Sequence, residues 1–205
     1  MLRQKYDPTS KRGFSLVELL IALLLGTVLL AMVIGLYVTG VSTGAKSLKY
    51  SRLRTDLQSI VAMMETDFRR AGYGGSDYLV GASSNKTIDI NASNDCIVYY
   101  YNHNDTATVE SSNQMAFSFK DNTVKFKSGV GKVANVVCAV TTGWTDVSDN
   151  NFIKITALSL TESVTSSASA TMRSVKIDLS GELVSDSNYA HSIATRVQVR
   201  NLEFN

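Results

Sequence analysis

The sequence predicts an α+β fold in which one very long N-terminal helix precedes a head built on an antiparallel β-sheet. Three observations carry this expectation. Residues 19–38 contain no charge, and from Leu48 the apolar residues recur every three or four positions as far as Phe68. Beyond Gly72 the period changes from helical to alternating, the pattern of half-buried strands. No second long amphipathic stretch follows to make crossovers, so the strands are expected to pair antiparallel.

The first element is the apolar run and its flank. Residues 1–12 hold Arg3, Lys5, Lys11 and Arg12 against Asp7. A basic flank keeps the N-terminus in the cytoplasm and sends the following segment outward. About 20 apolar residues at about 1.5 Å rise span about 30 Å of hydrocarbon. A cleaved secretory signal and a plain signal anchor are the simplest explanations. The run exceeds the apolar region of about 7–15 residues found in secretory signals, although Thr43-Gly44-Ala45 has the form of a late cut. Neither explains Glu18, because a carboxylate at the head of a membrane-spanning stretch is costly and marks function.

Gly13-Phe14-Ser15-Leu16-Val17-Glu18, directly after Arg12, resembles the class III signal of type IV prepilins. The resemblance implies a type IV pilin-like fold. It also implies that a prepilin peptidase cuts between Gly13 and Phe14 on the cytoplasmic side and methylates the Phe14 amine, leaving the apolar segment in place. Glu18 would then pair with the terminal amine of a neighbouring subunit and set the register of assembly. Each residue has a physical reason: Gly13 offers a protease an unobstructed peptide bond, and a charge in a low-dielectric setting is tolerable only when paired. The expected parts are a leader over 1–13, an assembly half of the helix over 14–41, its amphipathic half and a glycine turn over 42–75, and a β-rich head over 76–205.

The helix is expected over 14–70. Leu48, Leu53, Leu57, Ile60, Val61, Met64 and Phe68 form one stripe, with Lys49, Arg52, Arg54, Asp56, Gln58, Glu65 and Asp67 between them. The sole proline is Pro8, so the weak points are Gly26, Gly35, Gly40 and Gly44, with Gly35 the place to look for unwinding. Ala71-Gly72-Tyr73-Gly74-Gly75 ends the helix. Met115, Phe117 and Phe119 alternate with polar or small residues, as do Val124 and Phe126 after Asp121-Asn122, which predicts a hairpin with a two-residue turn and one apolar face. Val175, Ile177 and Leu179 mark another strand. Val197 and Val199 begin a terminal strand that Leu202 and Phe204 continue. Further strands are expected over 86–90, 96–101, 135–140 and 152–160, and loops over 76–84, 102–113 and 161–171.

Residues 64–75 resemble the helix-ending segment of PilW-type minor pilins, as do 172–177 and the ending 195–201. That resemblance implies a structural subunit of an initiation or tip complex that primes pilus assembly. Its partners would be other minor pilins, the major pilin and the prepilin peptidase. It would sit first in the inner membrane, single-pass with a periplasmic head, and then at the base or tip of a pilus. J-type minor pseudopilins of type II secretion share the same anchor, helix and β-rich head. A third class is a tip adhesin or DNA-uptake subunit, for which Lys120, Lys125, Lys127 and Lys132 are a candidate basic patch and a solvated strand face the plainer reading.

Composition bounds the rest. Residues 1–13 account for four of the 20 Lys+Arg and one of the 18 Asp+Glu, leaving 16 against 17 in residues 14–205. A near-neutral exported part gives no basis for bulk nucleic-acid binding, and none is expected. Cys96 and Cys138 are the only cysteines. In an oxidising compartment they read first as one disulfide, with two free thiols or a metal site sharing a distant histidine as alternatives. No cofactor or metal is expected. His103 and His191 lack triad-like neighbours, and Gly129-Val130-Gly131-Lys132-Val133 lacks the earlier glycine and the Ser/Thr of a phosphate loop, so it reads as a hairpin turn and an enzyme is not expected. Residues 102–105 and 146–151 offer oxygen ligands without calcium-loop spacing.

Overall fold

The computed structural model describes residues 13–204, and the basic residues of the expected leader lie outside the described residues. The chain divides into two units, one ending at Leu48 and one beginning at Lys49. Helix α1 (Leu16–Arg70) runs through both. In the first unit every described residue is exposed, and the helix is long and apolar enough to cross a membrane. The unwinding considered at Gly35 does not occur. The helix is unbroken there, and the Thr39 hydroxyl donates to the Gly35 carbonyl at 2.9 Å.

In the second unit the amphipathic stripe does what its spacing predicts. Leu53, Leu57, Ile60, Val61, Met64 and Phe68 are buried in one core with side chains from two sheets. Phe68 meets Tyr99 and Phe117 edge-on, at ring separations of 5.4 and 6.1 Å, the geometry aromatic quadrupoles favour. The glycine turn is required at two positions. Gly72 and Gly74 have φ of 77° and 115°, and a Cβ at either would lie within 2.7 Å of the Thr87 side chain or the Tyr78 ring. Asn201 caps the helix end, its amide donating to the carbonyls of Arg70 and Ala71 at 3.1 and 2.9 Å.

Strands β1 (Ile88–Ile90), β2 (Cys96–Tyr100), β3 (Gln114–Lys120), β4 (Thr123–Ser128) and β5 (Thr145–Asp146) form one antiparallel sheet in that order. Strands β6 (Ile153–Ser166), β7 (Ala170–Leu183) and β8 (Asp186–Gln198) form a second, with β9 (Glu203–Phe204) also paired to β7. The β3–β4 turn is Asp121-Asn122, both residues at positive φ, as a two-residue hairpin of this kind demands.

Five expectations need correction. The single sheet with one buried face is two sheets, and β2 is buried on both sides because Val98, Tyr100 and Ala116 pack in a second cluster with Tyr78, Val80, Val130, Ala134 and Val137. The strand expected over 135–140 is a helix, α2 (Ala134–Ala139), whose buried Ala134 and Val137 are three residues apart while Val136 is 66% exposed. Residues 129–133 are consequently the approach to α2 and not a hairpin turn. The loop expected over 161–171 is mostly strand, since β6 and β7 pair continuously from Leu158↔Leu179 to Ser166↔Thr171. At the terminus, β8 stops at Gln198 and the alternation reverses: Glu203 is buried while Leu202 and Phe204 are exposed.

Cys96 and Cys138 form a disulfide across 42 residues, tying β2 to α2. Lys120 reinforces the link by donating to the carbonyls of Cys138 and Val140, both at 2.6 Å, which satisfies the end of α2. Closing a loop of this length stabilises a fold by about 3–4 kcal/mol on the loop-entropy model. Replacing both cysteines by alanine is therefore expected to lower the urea midpoint by that equivalent, and the same loss should appear on reduction of the unaltered chain.

Candidate assembly interface

At the N-terminal end, Gly13, Phe14 and Ser15 precede the helix, and Phe14 is 85% exposed. The Gly13–Phe14 bond thus lies in non-helical, accessible chain, the state a protease requires. Glu18 is in the first turn of α1, where a carboxylate is favoured by the helix dipole. Among the described residues its Oε2 accepts only a long contact from the Ser15 N–H at 3.5 Å. Downstream, a Cβ on Gly26, Gly35, Gly40 or Gly44 would meet nothing within 4 Å. Gly40 and Gly44 are also four residues apart, a close-approach spacing on one helix face. Sequence reading weighed those two glycines only as weak points.

Three of the four lysines of the candidate basic patch are already engaged. Lys120 holds the end of α2, Lys125 pairs with Asp146 at 2.6 Å, and Lys127 donates to the Thr142 carbonyl at 2.8 Å. Trp144 lies beneath both Lys120 and Lys127. Burial lowers the pKa of Lys120, whereas the hydrogen bond to Asp146 raises that of Lys125. These lysines tie residues 138–146 to the β3–β4 hairpin. The oxygen-rich loops bond internally: Asn150 donates to Asp146 at 2.7 Å, and Asn102 brackets Thr106 through its amide and carbonyl. His103 contacts Asn113 and His191 contacts Tyr50, so the two histidines serve separate places.

Two polar clusters escaped sequence reading. Asp67 on α1 accepts from the hydroxyls of Tyr99 and Tyr101, at 2.7 and 3.1 Å. Burial first, and then the Asp67 charge, pushes both phenols above their ordinary pKa, while burial pushes Tyr100 up to about 12. These three tyrosines are expected to ionise above the ordinary range of a phenol, visible by ultraviolet absorbance. Their contribution to stability is present below about pH 10, where unfolded tyrosine stays protonated, and is lost as pH rises through the folded values. The second cluster is Arg173 between Glu203 (Nε–Oε1 2.6 Å) and Glu162 (Nη1–Oε1 2.6 Å), with the Thr87 backbone N–H and hydroxyl also donating to Glu203. Burial opposes the Arg173 charge, but the two carboxylates outweigh it and raise its pKa.

A family model described as prepilin peptidase-dependent protein B matches residues 46–199, and one described as the prokaryotic N-terminal methylation motif matches residues 8–34. The two matches together take in the exposed Gly13–Phe14 bond, Glu18, the buried stripe and nearly all of the head. Neither a curated protein nor a solved structure matches the chain.

Proposed function

Since the chain belongs to the prepilin peptidase-dependent protein B family, we propose that it is a minor pilin, of PilW type, that helps to prime assembly of a type IV pilus. At the coarser level it is a type IV pilin-like or pseudopilin protein with a transmembrane-capable N-terminal helix. Family membership points to a structural part that is processed by prepilin peptidase and assembles with other pilins. The observation that carries the pilin-like reading is the methylation motif at the head of an apolar helical stretch exposed throughout residues 16–48, and the PilW-type reading rests on the resemblance of residues 64–75, 172–177 and 195–201.

In this reading the peptidase cuts after Gly13 and methylates Phe14. The subunit then waits in the inner membrane with its head outside the cytoplasm. Assembly moves the exposed apolar helix from lipid into a bundle of like helices, where Gly26, Gly35, Gly40 and Gly44 permit close approach. Among the described residues Glu18 has one weak partner, which leaves it available to a neighbouring subunit's ammonium. A charge pair formed away from water requires both members, so an unmatched subunit is excluded and a matched one is held in register. The cytoplasmic motor of such a machine supplies the work.

Gly13 supplies the direct test. Gly13→Leu places a branched side chain at the scissile bond and is expected to abolish cleavage, leaving residues 1–13 attached and the band shifted upward on a gel. Normal processing of that variant would remove the assignment of the cleavage site.

A further inference from the structure

The two long outer strands of the second sheet are treated differently. The outward backbone of β6 is met over its first half, where Ile155 N–H donates to the Asn122 carbonyl at 2.8 Å and Leu160 N–H to the Asn94 carbonyl at 2.7 Å. On β8 the register fixes which groups face outward. Val199 N–H donates to the Arg173 carbonyl of the β7 side at 3.0 Å, and in an antiparallel ladder such bonded pairs recur at every second residue. Val197, Thr195, Ile193 and His191 therefore direct their N–H and C=O at β7, with Ala190, Ser192, Ala194 and Arg196 directing theirs away. Arg200 agrees with this phase, since its N–H reaches outward to the Arg69 carbonyl at 3.2 Å. Among the described residues, no backbone hydrogen bond meets the outward groups of 190–198.

An open edge of this length is normally guarded by proline, lysine or a bulge. Residues 186–198 contain no proline and no lysine, and the register shift lies at Glu182/Leu183, at the far end of the pair. The side chains at the outward positions are small and exposed at Ala190, Ser192 and Ala194. Arg196 stands directly across from Lys176, an unfavourable pairing of like charges. Lys176 is relieved by Asp178 at 2.8 Å, but Arg196 has no ion pair among the described residues.

We propose that the free edge of β8 accepts an extended strand from another polypeptide of the assembly, which pairs by main chain alongside Ala190, Ser192, Ala194 and Arg196 and carries an acidic residue where it passes Arg196. In strand addition the backbone bonds supply affinity and the alternate side chains supply selectivity. A second copy of this chain is the poorer occupant. Self-pairing of β8 brings an acid to Arg196 only in the one register that sets Asp186 opposite it, and Asp186 already accepts from the backbone and side-chain amides of Asn188. The surface belongs to the head alone, so it stands or falls separately from cleavage at Gly13 and from the role of Glu18.

The test uses the full chain in detergent and two eight-residue peptides of alternating valine and threonine, one with a central glutamate and one with a central lysine. Amide exchange is followed by NMR. The glutamate peptide is expected to slow exchange at Ala190, Ser192, Ala194 and Arg196 by about tenfold or more, with little change at their neighbours already bonded to β7. Ala194→Pro removes an outward donor without removing a bond to β7 and is expected to abolish that protection. Arg196→Glu should make the lysine peptide the better ligand. The proposal is overturned if neither peptide slows these amides, or if Ala194→Pro is protected as well as the original chain. It is also overturned if the four amides exchange slowly without peptide in a concentration-dependent way, which would assign the edge to a second copy.

Discussion

Glu18→Ala is expected to leave cleavage after Gly13 intact and to reduce the amount of subunit recovered in sheared filaments by about tenfold or more, with the protein accumulating in the membrane fraction. The reason is the asymmetry of a charge pair out of water: removing one member leaves the other without compensation, which costs more than never having made the pair. Glu18→Gln should fall between the two, because the amide retains a hydrogen-bond acceptor but no charge. Immunoblots of membrane and filament fractions read the outcome. Normal incorporation of Glu18→Ala would mean that the carboxylate does not select or register the subunit, and that helix packing alone suffices.

The largest expected loss of head stability comes from Arg173→Met. The Arg173 side chain is 11% exposed and Glu203 is 6% exposed, so the substitution strands a buried carboxylate with only the two donors of Thr87. Breaking a buried pair in this way costs about 3–5 kcal/mol. The double variant Arg173→Met/Glu203→Leu removes both charges and should recover a large part of that loss, because the penalty comes from the unpaired ion. Urea unfolding measures both. A loss below about 1 kcal/mol for the single variant would place the cluster with ordinary surface pairs.

The helix was legible because two strong signals agree. An uncharged run of membrane length leads into a three-to-four-residue stripe, and all six residues buried on α1 belong to that stripe. The β3–β4 hairpin was legible from its alternation and from Asp121-Asn122, residues that tolerate the left-handed conformation their turn imposes. Local pattern failed where tertiary partners decide. Residues 134–139 are rich in valine and read as strand, yet the disulfide at Cys138, the Asp89 carboxylate on the Ala134 N–H and burial three residues apart favour one and a half turns of helix. Residues 161–166 read as loop for want of apolar residues. They pair because β7 continues beside them, and β-branched threonine and valine suit a strand even when one face is wet. Glu203 inverted the last alternation. The ion pair with Arg173 and the bonds from Thr87 draw the acid inward and turn Phe204 out, and nothing in the local sequence announces partners 30 and 116 residues away.

The N-terminal site is a different case. Gly13, Phe14 and Glu18 were readable as a linear motif, and the structure adds that the Gly13–Phe14 bond precedes the helix while the Glu18 carboxylate sits in its first turn. The open β8 edge was unreadable in advance, since its meaning depends on which neighbours close the opposite edge.

Intact-mass spectrometry of the protein isolated from its own membranes tests the central claim most directly. A mass equal to residues 14–205 plus one methyl group, with fragmentation placing that group on the Phe14 amine, is the predicted result. A polypeptide that retains residues 1–13, or that begins at any residue other than Phe14, would contradict it.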